Sequence, residues 1–455
     1  MLFGAKLTAA RAVGAASRAS GRGGGTTLPG RMLLRLAPDA LARLGKRLDR
    51  TAIVSATNGK TTTAGMIAAA LEADGRHPVH NRAGSNMTWG VATALLEQHG
   101  EEGLFEVDEA WLPRVTAQLD PSLLVLGNLF RDQLDRYGEM ETLAADWSKT
   151  VASRAGRTRF ALNADDPTIA DLGREESGEL RQGVLYFGID DVSQALPELQ
   201  HAFDAKHCRR CDHPYAYERA FVGHLGHYSC PNCGAGRPRP DVAATAIELR
   251  GMSGSLVALR TPAGEIELRL PLPGLYNVYN ALAAVTAALE LGVPAGTIAD
   301  SLQTMRAAFG RVETIAIGSS QLSILLIKNP AGTNEVLRTL LLEAGEEGLD
   351  LWIGLNDRIA DGRDVSWIWD ADFELLAGGV RRVICAGTRA PEMALRLKYA
   401  GWPEQSIEVV PEIEGSLDRA LSGSPKRLFA LPTYTVLLEL RKLLASRGLA
   451  EEFWR

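Results

Sequence analysis

The sequence predicts an α/β protein built on two mainly parallel sheets, with a small cysteine-rich unit inserted between them. Three observations predict it. Apolar runs of strand length alternate with helical patterns from about residue 50 to 190, and again from about 315 to 455. The first series opens on a strand–glycine–helix junction at residues 53–63, IVSATNGKTTT. Two CxxC pairs interrupt the alternation between residues 203 and 238.

The elements follow in order. The first thirty residues are basic, rich in small side chains and poor in acids. They lack the continuous apolar core of a secretory leader, so they read as a basic amphipathic arm kept on the protein. Arg11, Arg18, Arg22 and Arg31 could touch a membrane surface or a phosphorylated ligand, or simply lie in solvent. TAIVSAT, LFEVDEA, SLLVLGNL, RFALNAD and VLYFGI are the strands of the first series. Short β segments follow the cysteines (TAIELRG, SLVALRT, EIELRLPLPG), then helices over Asn277 to Leu291 and Ala299 to Ala308. LSILLIKNP, DLWIGLND, RRVICAGT, SIEVVP and RLFALPTYT form the second series. This gives an arm at 1–44, a central domain at 45–309 carrying the insertion at 203–238, and a C-terminal domain at 310–455. A chain of 455 residues accommodates about two or three domains. A net charge of −6 disfavours a general nucleic-acid binder, and no run of 18 apolar residues is present to span a bilayer.

Residues 53–63 carry the clearest chemistry. A buried strand, a tight turn and a helix start make an anion cradle, in which backbone N–H groups and the positive helix end face phosphate oxygens. Thr57, Asn58, Gly59, Lys60, Thr61 and Thr62 form it: Gly59 permits close approach, Lys60 brings a point charge, and the Thr61 hydroxyl suits Mg²⁺. Cys208-Arg-Arg-Cys211 and Cys230-Pro-Asn-Cys233, with 18 residues between them, have the spacing of a closed four-cysteine Zn²⁺ ribbon with a structural role. Two disulfides are the alternative and would need an oxidising compartment. Cys385 lies in the apolar strand RRVICAGT and reads as core.

These motifs resemble those of the Mur ligases, which join amino acids to peptidoglycan precursors using ATP. ATNGKTTT looks like their nucleotide loop, and FEVDEA (Phe105 to Ala110) like their Mg²⁺-holding acidic segment. NLFRDQLDRYGE, LNADDP, PGLYNVYNALAA and Gly310-Arg311-Val-Glu313 match further signatures in the right order, over nearly the whole chain from about residue 45. The departures are Ala56 for a usual Gly, Gln133 for a usual His, KNPAGTNE (Lys328 to Glu335) in place of D-Y-A-H-x-P, and the cysteine insertion. All are similar to the MurT family, the ligase-like subunits of lipid II isoglutaminyl synthases, which work as heterodimers with a glutaminase subunit of the GatD type.

The resemblance implies a fold: a Mur ligase-like central P-loop domain, an inserted zinc ribbon and a Rossmann-like C-terminal domain. It also implies a reaction, the ATP-dependent amidation of the D-glutamate α-carboxylate of lipid II through an acyl phosphate. A stand-alone amino-acid ligase is the alternative. The implied cofactors are ATP, Mg²⁺ and Zn²⁺. The implied setting is cytoplasmic, at the inner face of the membrane, with no nucleic-acid partner. Lys60 then contacts the β- and γ-phosphates, Asn277 and Asn280 border the nucleotide, and Arg311 either reaches the phosphates or pairs with Glu313. Thr61 holds Mg²⁺ with Glu106 or Glu109; these alternate along a strand, and Glu109 is preferred because a ligand is expected at the strand's end. The chain offers no free cysteine nucleophile for glutamine hydrolysis, so a partner must bring one. The family's lent aspartate falls on Asp364, with Asp361 and Asp357 as competitors, beside Trp367 and Trp369.

Overall fold

The computed structural model describes residues 3–19, 27–81, 85–132, 140–200, 203–305 and 312–450. The chain opens with three helices, α1 (Phe3–Ala19), α2 (Leu28–Leu36) and α3 (Ala40–Gly45). The first large sheet then builds through β1 (Arg50–Ser55), α4 (Lys60–Ala73), β2 (Val79–His80), α5 (Thr88–Glu97), β3 (Glu102–Glu106), α6 (Leu112–Leu119), β4 (Leu123–Leu126), α7 (Met140–Arg154), β5 (Arg159–Asn163), α8 (Pro167–Leu172) and β6 (Val184–Ile189). A separate hairpin, β7 (Ala216–Val222) and β8 (Leu225–Ser229), lies between the two cysteine pairs. The chain returns to the first sheet with β9 (Val242–Leu249), β10 (Ser255–Thr261) and β11 (Gly264–Leu270), followed by α9 (Leu275–Glu290) and α10 (Ala295–Gln303).

Nine strands form this sheet in the order β11-β10-β9-β6-β5-β4-β1-β3-β2. β1 to β6 run parallel to their neighbours and β9 runs parallel to β6, while β10 and β11 close one edge antiparallel. Both faces are covered, which is why β1 and β4 read as unbroken apolar runs. Ala52 and Val54 of β1 pack with α4 and α9 on one face, and Ile53 packs with α5 and α6 on the other. The N-terminal helices add to that second face: Ala10, Leu33 and Leu41 are fully buried. Arg11 donates to the Leu96 carbonyl, and Arg18 pairs with Glu97 at 2.8 Å. Arg22 lies outside the described residues.

The second sheet has the order β12-β13-β17-β14-β15-β16. It is built from β12 (Val312–Ile317), β13 (Ser320–Leu325), α11 (Pro330–Leu341), β14 (Leu349–Gly354), β15 (Val380–Ala386), α12 (Ala390–Tyr399), β16 (Ile407–Val409), α13 (Ile413–Leu421), β17 (Arg427–Pro432) and α14 (Tyr434–Ser446). Only β12 is antiparallel to its neighbour. The expected helix at Ala299 starts earlier, at Ala295 after Pro294, whose fixed φ suits the residue before a helix. None of the described helices is long and apolar enough to cross a membrane.

Candidate functional site

The β1–α4 loop lies at the carboxyl end of β1, an interior strand of the first sheet between β4 and β3. Asn128, just past β4, brackets it: its side-chain oxygen accepts from Asn58 N (2.9 Å) and its amide donates to Asn58 O (3.1 Å). Thr57 N donates to Asn128 O (2.9 Å), and the Thr57 hydroxyl accepts from Phe130 N (3.1 Å). Gly59 has φ +91°, and a Cβ there would stand 1.9 Å from Asn280 Oδ1. No other residue type fits that approach without moving Asn280. Asn280 is fixed in turn by Asn277, which accepts from its amide (3.0 Å) and donates to the Pro273 carbonyl (2.8 Å). The PG-x-x-N-x-x-N segment therefore brings both asparagines under the loop from α9.

Lys60 begins α4 and its ammonium is buried. It donates to the carbonyls of Ala56 and Thr57 and to Glu109 Oε2 at 2.8 Å. Burial works against the ammonium, but Glu109, Asp108 and Glu106 outweigh it and hold its pKa above the usual lysine value. Burial likewise opposes the Glu109 carboxylate, and Lys60 with Lys328 overcomes it, holding its pKa below the usual range. Thr61 presents its hydroxyl to Glu106 Oε2 at 2.8 Å, and Asn86 Nδ2 donates to Glu106 Oε1 at 3.4 Å. Thr62 is buried on α4. Strand alternation separates Glu106 from Glu109 only while the strand lasts. β3 ends at Glu106, and the turn from Asp108 to Trp111 brings Glu109 back to Lys60. The structure thus places the two carboxylates on different partners, Glu106 on Thr61 and Glu109 on Lys60.

The second sheet reaches the same loop, which the sequence did not reveal. Lys328 donates to Asp132 (2.6 Å) and to Thr57 O (3.2 Å), and Asn329 exchanges side-chain hydrogen bonds with Asn58 (3.0 and 3.3 Å). Asn329 also caps α11 through Gly332 N. The Asn-Pro pair was legible as a helix start; its contact across the domains was not. Arg311 lies outside the described residues, and Glu313 pairs with Arg441 of α14.

The four cysteines converge. Their sulfur atoms lie within 4.8 Å of one another, with Cys211 to Cys230 at 3.4 Å and Cys208 to Cys233 at 3.6 Å. Those separations exceed a disulfide bond of about 2.05 Å and match a shared tetrahedral ion. Two fully buried aspartates tie this ribbon to the first sheet. Asp165 accepts from Arg237 Nε (2.6 Å), Ile189 N (2.8 Å) and the Tyr279 hydroxyl (2.7 Å). Asp166 caps α8 and accepts from Leu129 N (3.0 Å), and His224 of the hairpin turn stands 3.3 Å away. Asp166 and the surrounding carboxylate Asp204 outweigh the burial that opposes an imidazolium, so His224 has a raised pKa.

The candidate aspartates of the second domain differ sharply. Asp361 is buried and accepts from Thr435 N (2.7 Å) and the Thr435 hydroxyl at the start of α14; burial raises its pKa. Asp357 accepts from the Thr388 hydroxyl (2.9 Å) and pairs with Arg389 (3.3 Å). Asp364 is exposed and accepts from Ser366, whose backbone N–H lies at 2.8 Å and whose side chain adds a second hydrogen bond; these hold its pKa below the usual range. An open hollow of about 680 Å³ adjoins this segment, lined by Asp357, Arg358, Ile359, Ala360, Arg363 and Thr435. Trp369 is 47% exposed and meets Tyr399, 71% exposed, edge to face; Trp367 is half-buried against the core. Cys385 is fully buried, and burial pushes its thiol up to about 12.

The fold and this loop define a Mur ligase-type protein: residues 54–236 match the Mur ligase middle domain and residues 326–437 the MurT ligase C-terminal family. The chain belongs to the MurT family. It is 33% identical over 438 residues to the lipid II isoglutaminyl synthase (glutamine-hydrolyzing) subunit MurT of Streptococcus pneumoniae, covering 94% of each chain. It is also 33% identical to the protein of the same description from Staphylococcus aureus strain N315, covering 93% of each. Among solved structures, a pseudomurein peptide ligase type C from Methanothermus fervidus superposes with a TM-score of 0.68 at 22% identity, over 89% of this chain and 80% of that one. That likeness concerns the fold.

Proposed function

We propose that this chain is the synthetase subunit that amidates the α-carboxylate of D-glutamate in lipid II, giving D-isoglutamine. A carboxylate oxygen attacks the γ-phosphorus of ATP, ADP leaves, and an acyl phosphate forms. Ammonia then attacks the acyl carbon, the C–O bond to phosphate breaks, and the nitrogen sheds a proton to give the amide. The observation that carries this reading is the family's nucleotide loop with the Thr61–Glu106 pair set beside a buried Lys60. Bound Mg²⁺ would neutralise charge on the transferring phosphoryl group. Thr61 and Glu106 would hold it, while Glu109 keeps Lys60 charged beneath the loop, from where it would meet the phosphates. Gly59, Lys60, Thr61 and Thr62 would contribute backbone N–H groups at the helix start, with Thr57 and Asn58 held beside them by Asn128. Asn277 and Asn280 would border the nucleotide from α9, and Lys328 would approach from the second domain.

The Cys208, Cys211, Cys230 and Cys233 set fits Zn²⁺ in a structural role, since four thiolates fill a tetrahedral ion and leave no open position. We assign the ammonia to a glutaminase of the GatD type, bound to the 310–455 domain in a heterodimer. Cys385 cannot serve as the nucleophile, being buried and held as a thiol. Asp364 is the carboxylate best disposed to orient the partner's histidine, because Asp361 and Asp357 are already engaged within this chain. A lipid-linked substrate places the 45–309 domain at the cytoplasmic face of the membrane, with the 1–44 segment on its flank.

The test is amidation of lipid II with ATP and Mg²⁺ in the presence of the glutaminase, for wild type and Asp364→Asn. The variant should fail with glutamine and work with ammonium. Equal activity with glutamine would remove Asp364 from this role, and no amidated product from wild type would overturn the whole reading.

A further inference from the structure

Beside the acidic segment stands a ladder of four side chains. The Arg31 guanidinium lies 5.0 Å from the centroid of Trp89. Trp89 and Trp111 meet edge to face, with centroids 5.1 Å apart and planes at 71°. The Arg114 guanidinium lies 5.6 Å from the Trp111 ring. Both indoles are half-buried and both arginines are exposed. Among the described residues no hydrogen bond or ion pair engages either guanidinium. Their neighbours Arg11, Arg18 and Arg47 are all engaged, on the Leu96 carbonyl, Glu97, and the Leu95 and Gln98 carbonyls.

The ladder belongs to the same hydrogen-bonded unit as the carboxylates. Trp111 N donates to Asp108 O (3.0 Å), Asp108 N donates to Asn86 O (2.9 Å), and Asn86 donates to Glu106. Trp89 lies three residues beyond Asn86, and Trp111 two beyond Glu109. Packing alone does not call for the two arginines. The α2–α5 junction is already closed by Gly30, where a Cβ would sit 1.8 Å from Trp89 O, and by Gly30 N donating to the Thr93 hydroxyl (2.9 Å).

We propose that Arg31, Trp89, Trp111 and Arg114 form a recognition site for a sugar ring bearing a phosphate. This rests on the function proposed above, and it assigns the ladder to the muramoyl–phosphate end of the substrate. Indole rings offer apolar surface to the C–H faces of a pyranose, and the guanidinium groups, 5.0 and 5.6 Å from the ring centroids, are free to direct N–H groups at phosphate oxygens. The reacting carboxylate sits on the peptide attached to that sugar. Holding the sugar at residues 89 and 111 delivers the peptide to Glu106 and Lys60.

Two measurements test this with the holoenzyme and ammonium as donor. In steady-state amidation, Arg31→Gln, Arg114→Gln and Trp111→Leu should each raise the KM for lipid II about tenfold, the loss expected for a hydrogen bond or two to a charged group. The KM for ATP and the Tm should stay at wild-type values. In a tryptophan-fluorescence titration, N-acetylmuramic acid 1-phosphate should bind wild type and bind the arginine variants at least about tenfold more weakly, while inorganic phosphate alone should give no indole signal. An unchanged KM for lipid II, or a KM for ATP and a Tm that shift together with it, would overturn the site and leave the amidation reading standing. Should wild type amidate nothing, the titration alone decides: absence of sugar-phosphate binding overturns the site.

Discussion

Glu106 and Glu109 lie three residues apart, yet their substitution by glutamine should break different things. Glu109 and Lys60 are both nearly buried and meet at 2.8 Å, with side chains 8% and 9% exposed. Glu109→Gln leaves a buried ammonium without its counter-charge, a change that typically costs about 3–5 kcal/mol. Lys60 keeps the Ala56 and Thr57 carbonyls, so the low end, about 3 kcal/mol, applies. At about 2–4 °C per kcal/mol for a domain of this size, the Tm should fall by about 6–12 °C. Glu106 hydrogen-bonds to neutral groups, Thr61 at Oε2 and Asn86 at Oε1, and a glutamine can accept from Asn86 with its oxygen and donate to the Thr61 hydroxyl with its amide. Glu106→Gln should shift the Tm by no more than about 3 °C, the effect of less than 1 kcal/mol. It should instead raise the Mg²⁺ concentration for half-maximal activity at least about tenfold, the loss seen even for outer partners of a metal. Thermal unfolding without nucleotide and a Mg²⁺ titration of amidation read the two effects separately. The Tm gap for Glu109→Gln should hold through neutral pH. A carboxylate with a depressed folded pKa contributes stability above its ordinary value of 4.5 and loses it as pH falls through the lowered one. If Glu109→Gln leaves the Tm unchanged and raises the Mg²⁺ requirement, the metal role belongs to Glu109 and the assignment made here is refuted.

Gly59→Ala should abolish ATP turnover while the chain remains folded, because the added methyl meets Asn280 at 1.9 Å in a left-handed backbone; isothermal titration with a non-hydrolysable ATP analogue checks it. Cys230→Ser should drop bound zinc from one per chain toward none by elemental analysis and lower the Tm, and a strong chelator should do the same to wild type. Glu335 is buried on α11, and burial raises its pKa against the pull of Arg338. Its proton is held more tightly in the folded state, so wild type loses stability as pH rises above the ordinary value of 4.5. The Tm of Glu335→Gln relative to wild type should therefore increase from pH 4.5 to 7.

What could be read in advance was what is local in the chain. The strand, Gly59 and Lys60 are contiguous, and the cysteine spacing encodes its own turn geometry. The alternation of β and α patterns was equally legible, because both sheet faces are covered and each strand is a compact apolar run. The partner contacts were not. Asn128, Lys328 and Asn329 meet residues 57 and 58 from 70 to 271 positions away, and nothing in their neighbourhoods points to the loop. The division between Glu106 and Glu109 turned on where β3 stops, a boundary that propensity leaves loose by a few residues. β7 and β8 were missed because their burial pattern is mixed and their packing rests on Tyr215, Tyr217 and Tyr228, not on an aliphatic run.

The cysteine ribbon has the look of a detachable module, bounded in sequence and folded around its own four thiols. Its anchors refine that view. Excising it would take Arg237 from Asp165 and His224 from Asp166, leaving Asp165 on Ile189 N and the Tyr279 hydroxyl, and Asp166 on Leu129 N and the first N–H groups of α8. Those donors all belong to the host, so a shortened relative can keep both aspartates in the same LNADDP motif. The ribbon thus docks on a pair of carboxylates that the first sheet already holds in place, and it brings them a guanidinium and an imidazole.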